Sequence, residues 1–195
     1  MKKLLIIFSL LVFSSIAVAN TSPYTLINQV GDKLFTDIKA VNKEGKATET
    51  EMKGIVRSRL MPHIDVKFVS FKLLGKHIKG LKRDEAVDFI NAVDDYLVAT
   101  YASALLQYKG QEVIFEELPV SDGSDFATVK VVIKEQAKPD IDMHFKFRQS
   151  KDGTWKVYDM VAEGISLLSA KQKEITMRIS EVGLAQVTAE LKSKA

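Results

Sequence analysis

Tyr96-Leu-Val-Ala-Thr-Tyr-Ala-Ser-Ala-Leu-Leu-Gln-Tyr108 is a run of thirteen residues without a charge, bounded by Asp95 and Lys109. It continues a helical pattern that starts near Arg83, in which Ala86, Phe89, Ile90, Val93, Leu97, Tyr101, Leu105 and Tyr108 recur at helical spacing. The first half of that helix is two-faced, with Asp84, Glu85, Asp88, Asp94 and Asp95 turned outward. The second half has no face marked for water by a charge. A helix apolar all round is enclosed by its own protein or lies against something greasy. Thirteen residues are too few to cross a bilayer, which takes about 20. What covers this helix therefore decides both the fold and the function.

Past Gly110 the pattern changes from helix to strand. Segments 111–118, 126–136, 141–149 and 154–161 are rich in Val, Ile, Phe and Thr, with Asp122-Gly123, Lys138-Pro139 and Asp152-Gly153 between them as turns. In the third, Met143, Phe145 and Phe147 face one way while Asp142, His144, Lys146 and Arg148 face the other. Val129, Val131 and Ile133 alternate in the same manner with Thr128, Lys130 and Lys134, and Val132 breaks the pattern. The expectation is an antiparallel meander of about four strands with one oily face.

Upstream of the long helix, Ser22-Pro23 reads as a cap and first-turn proline, with Leu26, Ile27, Val30, Leu34 and Ile38 on one face. A loop at 42–47 leads to Thr48, which with Glu51 makes a capping box before Met52, Ile55, Val56 and Leu60. Pro62 ends that helix, and Asp65 opens a short one carrying Val66, Phe68, Phe71 and Leu74, closed by Gly75. After the strands, 165–181 reads as helix, then Gly183 and a short last helix to Leu191. Helices packed on one face of a curved antiparallel sheet make an α+β domain.

The first nineteen residues read as an export signal. Met1-Lys2-Lys3 is a basic start, residues 4–18 are uncharged, and Ala17-Val18-Ala19 supplies a small-residue cleavage site, so the mature chain begins at Asn20. With no cysteine, neither a disulfide nor a lipid anchor on Cys is available. The remaining 176 of 195 residues suffice for one domain, residues 20–195, expected to be soluble, monomeric and periplasmic. Without Lys2 and Lys3 the formal charge falls from +3 to +1, which argues against a nucleic-acid binder.

Catalytic chemistry finds little support, and no catalytic residue, cofactor or metal is assigned. His63-x-Asp65 offers a metal edge without a third ligand at useful spacing. No nucleophile elbow and no glycine-rich phosphate loop is present. Asp159 shares a side with Trp155 and Val157 in simple alternation, so an inward carboxylate acting as a base on a hydrophobic small molecule, with Glu163 as the other candidate, is the competing enzymatic reading. The stretch from Lys72 to Arg83 carries five Lys/Arg and no acid, and reads either as a surface for anionic groups or as a solvated helix end.

Two segments carry a resemblance. Tyr101-Ala-Ser-Ala-Leu-Leu-Gln-Tyr108, followed about fifty residues later by Trp155-Lys-Val-Tyr-Asp-Met-Val-Ala-Glu-Gly-Ile-Ser166, resembles the MlaC family, also known as toluene-tolerance proteins. Pro23-Tyr24, Ile55-Val56, Leu60-x-Pro62 and Leu73-Leu74-Gly75 agree in order, so the likeness spans nearly the whole mature chain. It departs where the family tends to carry a Gln-Arg pair, here Glu85-Ala86, and in the last long helix at Gln172 and Ile175. The resemblance implies an NTF2-like α+β fold with a deep apolar pocket for acyl chains, and a non-enzymatic phospholipid carrier between the two membranes. It implies as partners the MlaA–porin complex of the outer membrane and the MCE-domain protein MlaD of an inner-membrane ABC transporter. By periodicity, candidate lining residues are Phe71, Leu97, Tyr101 and Leu105 from helices, with Val113, Val129, Val131, Met143, Phe145 and Trp155 from the sheet.

Overall fold

The computed structural model describes residues 21–42, 47–119, 123–134 and 139–195. The leader 1–19, the start at Asn20, the centre of the 42–47 loop, Asp122 and Lys138 of two turns, and the end of the second strand at 135–136 lie outside the described residues.

Helix α1 (Pro23–Val41) starts on Ser22, whose Oγ accepts from the Thr25 amide at 3.1 Å. It buries Ile27, Leu34 and Ile38 on the expected face, together with Gly31. Helix α2 (Glu49–Arg59) has the reciprocal cap read from Thr48 and Glu51: the Glu51 amide donates to Thr48 Oγ1 at 3.2 Å, and the Thr48 amide to Glu51 Oε2 at 2.8 Å. A turn of 3-10 helix at Met61–His63 follows, then α3 (Val66–Leu74), capped by Asp65 and stopped by Gly75 at φ +52°. The long helix α4 (Arg83–Leu105) packs against α2, α3 and α6 (Leu184–Lys192), and α5 (Leu167–Val182) against α3, α6 and the sheet edge. Among the described residues no helix is long and apolar enough to cross a membrane.

The uncharged stretch is not enclosed all round. Helix α4 ends at Leu105, ten residues into the run, and buries Val98, Ala99 and Ala102 while Thr100, Ser103 and Ala104 stand in solvent. Hydroxyl and methyl side chains are small enough to face water at little cost, so absence of charge did not mean absence of an outer face. Thr100 further satisfies its hydroxyl on the Tyr96 carbonyl at 2.8 Å.

The sheet runs β1 (Glu112–Glu117), β2 (Phe126–Lys134), β3 (Ile141–Gln149), β4 (Trp155–Ala162) and β5 (Ile165–Ser166) in sequence order, every pair antiparallel. The meander is the expected one with a fifth, two-residue strand added where helix was anticipated. Glu163 and Gly164 both take positive φ, 49° and 77°, a tight turn matched to strand twist, and it returns the chain onto β4 before α5 starts on Ser166. Register places Phe115, Val131, Met143, Ala162 and Ile165 in one row across five strands, with Val129 beside Phe145 and Ala127 beside Phe147. Val132, the break in alternation, is buried on the opposite face beside Ile114.

Between Lys146 and Phe147 the β3–β4 register shifts, because β4 carries one extra residue, Tyr158. Such a bulge bends the strand and sharpens its twist, which curves the sheet. It also resets side-chain direction. Val157 still opposes Phe147, but Asp159 now opposes Lys146, its Nζ 3.7 Å from Asp159 Oδ2.

Candidate functional site

The apolar face of the sheet is covered by α1. Ile27 joins Ala127, Val129, Val131, Phe147 and Trp155 in one cluster, and Val113, Phe115, Met143 and Phe145 pack against it half-buried. Helix α1 comes so close that a Cβ on Gly31 would meet the Phe115 ring at 2.7 Å, a distance only glycine permits. Further along the same helix, Leu34 and Ile38 belong to a second cluster with Met52, Val56, Val98 and Ala102, against which Tyr101 and Leu105 pack. A third, made by α3, α4, α5 and α6, is centred on Phe89, Val93 and Ile175.

The ten candidate lining residues divide among these clusters. Val113, Val129, Val131, Met143, Phe145 and Trp155 are together on the sheet. Tyr101 and Leu105 are in the α1–α2–α4 cluster, and Leu97 touches both helical clusters. Phe71 stands apart on α3 against the third cluster, with the Lys67 ammonium 5.8 Å over its ring. Val129, Val131 and Trp155 are buried, whereas Leu97, Tyr101, Leu105, Val113, Met143 and Phe145 each keep part of their surface open.

The sheet cluster and the α4 row both rest on α1, yet they share no residue. Close-packed interiors leave few voids, and the side chains of both rows stay half-open rather than fully interlocked. Tyr101 of α4 lies near Asp159 of β4. Burial pushes its phenol up to about 12, and the nearby Asp159 carboxylate of β4 adds to the effect. The row ends in the open at the β5 edge, where Ile165, in register with Ala162 and Met143, is 61% exposed.

That shift makes a pH test. An unfolded phenol ionises near 10, so the folded state holds its proton more tightly, and the resulting stability is present below pH of about 10 and lost as pH rises toward about 12. Between about pH 9 and about pH 11, Tyr101→Phe is expected to lose roughly 1 kcal/mol less stability than the parent, read from urea midpoints. Equal losses would place the phenol in water.

Asp159 is not poised as a base. Its Oδ1 accepts from the Leu168 amide at 3.1 Å and its Oδ2 from Ser166 Oγ at 2.8 Å, so it caps α5 and pins that helix to β4. Glu163 sits exposed at the tip of the β4–β5 turn. Asp65 is engaged by the Phe68 amide at 3.0 Å and by Arg148 Nη1 at 2.5 Å, while burial and the charges of Lys156 and Lys33 lower the His63 pKa. Among the described residues no group of three or more His, Cys, Asp or Glu could hold a metal ion. Gln172 reaches the Lys72 carbonyl and Ile175 is core, so the two positions of the last long helix that depart from the family pattern have structural partners here.

Sequence reading missed α1 as a wall of the site. Its signal was faint because Gly31, where the helix touches the sheet, carries no apolar side chain, and Ile27 read as an ordinary stripe residue.

Comparison with known proteins bears on the family and the fold. The sequence profile of the MlaC protein family matches residues 28–193. The binding protein MlaC of the intermembrane phospholipid transport system of Haemophilus influenzae is 30% identical over 181 residues, spanning 92% of this chain and 85% of the relative. A phospholipid-binding protein from Ralstonia solanacearum, solved in complex with a phospholipid, has the same fold at a TM-score of 0.77 and 17% identity, over 88% of this chain and 95% of that one. The match runs through the helices, the meander and the closing helices alike, and on it the chain belongs to the MlaC family.

Proposed function

We propose that this protein is a periplasmic carrier that binds phospholipid by its acyl chains and moves it between the outer and inner membranes, maintaining outer-membrane lipid asymmetry. The observation that carries the reading is the pair of half-open apolar rows, Val113, Met143 and Phe145 on the sheet and Leu97, Tyr101 and Leu105 on α4. The family relatives, one from a phospholipid transport system and one solved with a phospholipid, support it.

Physical chemistry explains why a carrier is needed. Two acyl chains hold roughly 30 methylenes, and exposing them to water costs on the order of 20 kcal/mol, so free diffusion is negligible. A lining about as apolar as the bilayer makes transfer nearly balanced, and the lipid can leave again. The phosphate stays at the mouth, because burying it unpaired is prohibitive. In this reading residues 1–19 are a cleaved export signal, the mature protein is monomeric and needs no cofactor, and it exchanges cargo with an MlaA–porin complex and with MlaD of an ABC transporter.

Purified natively and extracted, the mature protein is expected to yield about one phospholipid per chain by mass spectrometry, and to acquire lipid from vesicles when stripped. Absence of phospholipid together with no uptake would overturn the proposal.

A further inference from the structure

The Tyr101 hydroxyl is a polar group of the candidate site with no hydrogen-bond partner among the described residues. Tyr101 lies on α4 one turn from Leu97 and one from Leu105, packed against the cluster of Leu34, Ile38, Val98 and Ala102. Its surroundings are dry enough to raise its pKa, yet it makes no hydrogen bond to any described residue. Among the described residues no buried side-chain oxygen or nitrogen is both sealed from solvent and unpaired. The Tyr101 oxygen therefore keeps open surface within an enclosed, apolar setting, which in the carrier reading is the space the lipid fills.

Three neighbouring polar residues are already matched. Tyr108, at the end of the same stretch, donates to the Gln111 carbonyl at 3.0 Å. Tyr96 receives Lys171, whose ammonium lies 5.3 Å over its ring. Asp159 is committed to Ser166, Leu168 and Lys146. A phenol removed from water without an acceptor is costly, so the occupant of the space is the natural source of one. Hydrocarbon offers no acceptor, and a phosphate remains at the mouth. The uncharged ester carbonyls of a glycerophospholipid sit between these two parts and enter an apolar site with the first methylenes.

We propose that Tyr101 donates a hydrogen bond to an ester carbonyl of the bound lipid, which makes the site selective for diacyl over dialkyl-ether phospholipids. The proposal rests on the carrier reading, and its test separates the two. Stripped protein is incubated with vesicles of equimolar, chain-matched diester and diether phosphatidylethanolamine, re-isolated, and its lipid analysed by mass spectrometry. Because both lipids share one bilayer, differences in how tightly the membrane holds them are small, and the ratio on the protein reports the site. The parent protein is expected to carry the diester form in roughly fivefold excess, the worth of one neutral hydrogen bond. Tyr101→Phe, which keeps the ring and its packing, is expected to carry both in equal amounts. Equal loading of the parent, or a preference retained by Tyr101→Phe, overturns the proposal and leaves the carrier reading standing. Failure of the parent to load either lipid overturns both.

Discussion

A glutamate at position 131 or 105 is expected to strip the protein of phospholipid, while Lys130→Glu leaves its load unchanged. Val131 is buried at the centre of the sheet row, between Phe115 and Met143 in register. A carboxylate there has no partner and no path to water, so it either ionises at a cost of several kcal/mol or stays protonated and still breaks the apolar lining. Either outcome is expected to lower lipid occupancy at least about tenfold, which corresponds to about 1.4 kcal/mol. Part of the Val131→Glu penalty falls on folding itself. Leu105→Glu separates the two effects, because Leu105 closes α4, keeps part of its surface open, and is expected to cost the fold only about 1 kcal/mol. Lys130 lies on the opposite face, 3.4 Å from Glu116 and 3.6 Å from Asp142, partly open to solvent, where ion pairs contribute about 0 to 1 kcal/mol. Equal lipid occupancy in all three variants would contradict the assigned lining.

Phe89→Ala is expected to produce the largest loss of stability and little change in lipid carried per folded molecule. Phe89 is fully buried, with 0% of its surface exposed, at the junction of α3, α4, α5 and α6, among Val69, Leu73, Val93, Ile175 and Val187. Those helices are fixed on one another from several sides, so the hole left by the ring cannot collapse fully. Removing a buried phenylalanine in such a setting costs about 3 to 5 kcal/mol. Whole domains are stable by about 5 to 15 kcal/mol, so the unfolding midpoint in urea should fall by a large fraction, and Tm by roughly 10 °C. The cluster is separate from the sheet row, which is why the carrying capacity of folded molecules should survive. A loss below about 1 kcal/mol would mean that α4 is not anchored as described.

Much of the fold was legible because local chemistry and tertiary structure agree. The capping box at Thr48 and Glu51, the Asp65 cap, the stop at Gly75 and the alternation of Met143, Phe145 and Phe147 are short-range signals, and each is realised. The candidate site was only half legible. Periodicity selected Tyr101 and Leu105 on α4 and the oily row on the sheet, but it could not separate residues interlocked as core from residues left half-open. Val129 and Val131 became core, whereas Met143 and Phe145 did not, although all four alternate alike. Phe71 satisfied the same periodicity and was drawn to the α3 side instead.

Asp159 shows why the remainder needed three dimensions. Alternation counted from Trp155 aims it inward, but one extra residue, Tyr158, turns it toward Lys146 and onto the first turn of α5. Nothing local announces that bulge, because it is fixed by how β4 must curve to receive the helices. The sequence by itself determined the helices and four of the strands, the oily sheet face and the absence of charge along Tyr96–Tyr108. Only the tertiary structure decided that Thr100, Ser103 and Ala104 face water and that Tyr101 is drawn into an apolar setting. The physical reason is that hydrophobic patterning says which side chains leave water, while what they meet when they leave depends on contacts between segments far apart in the chain.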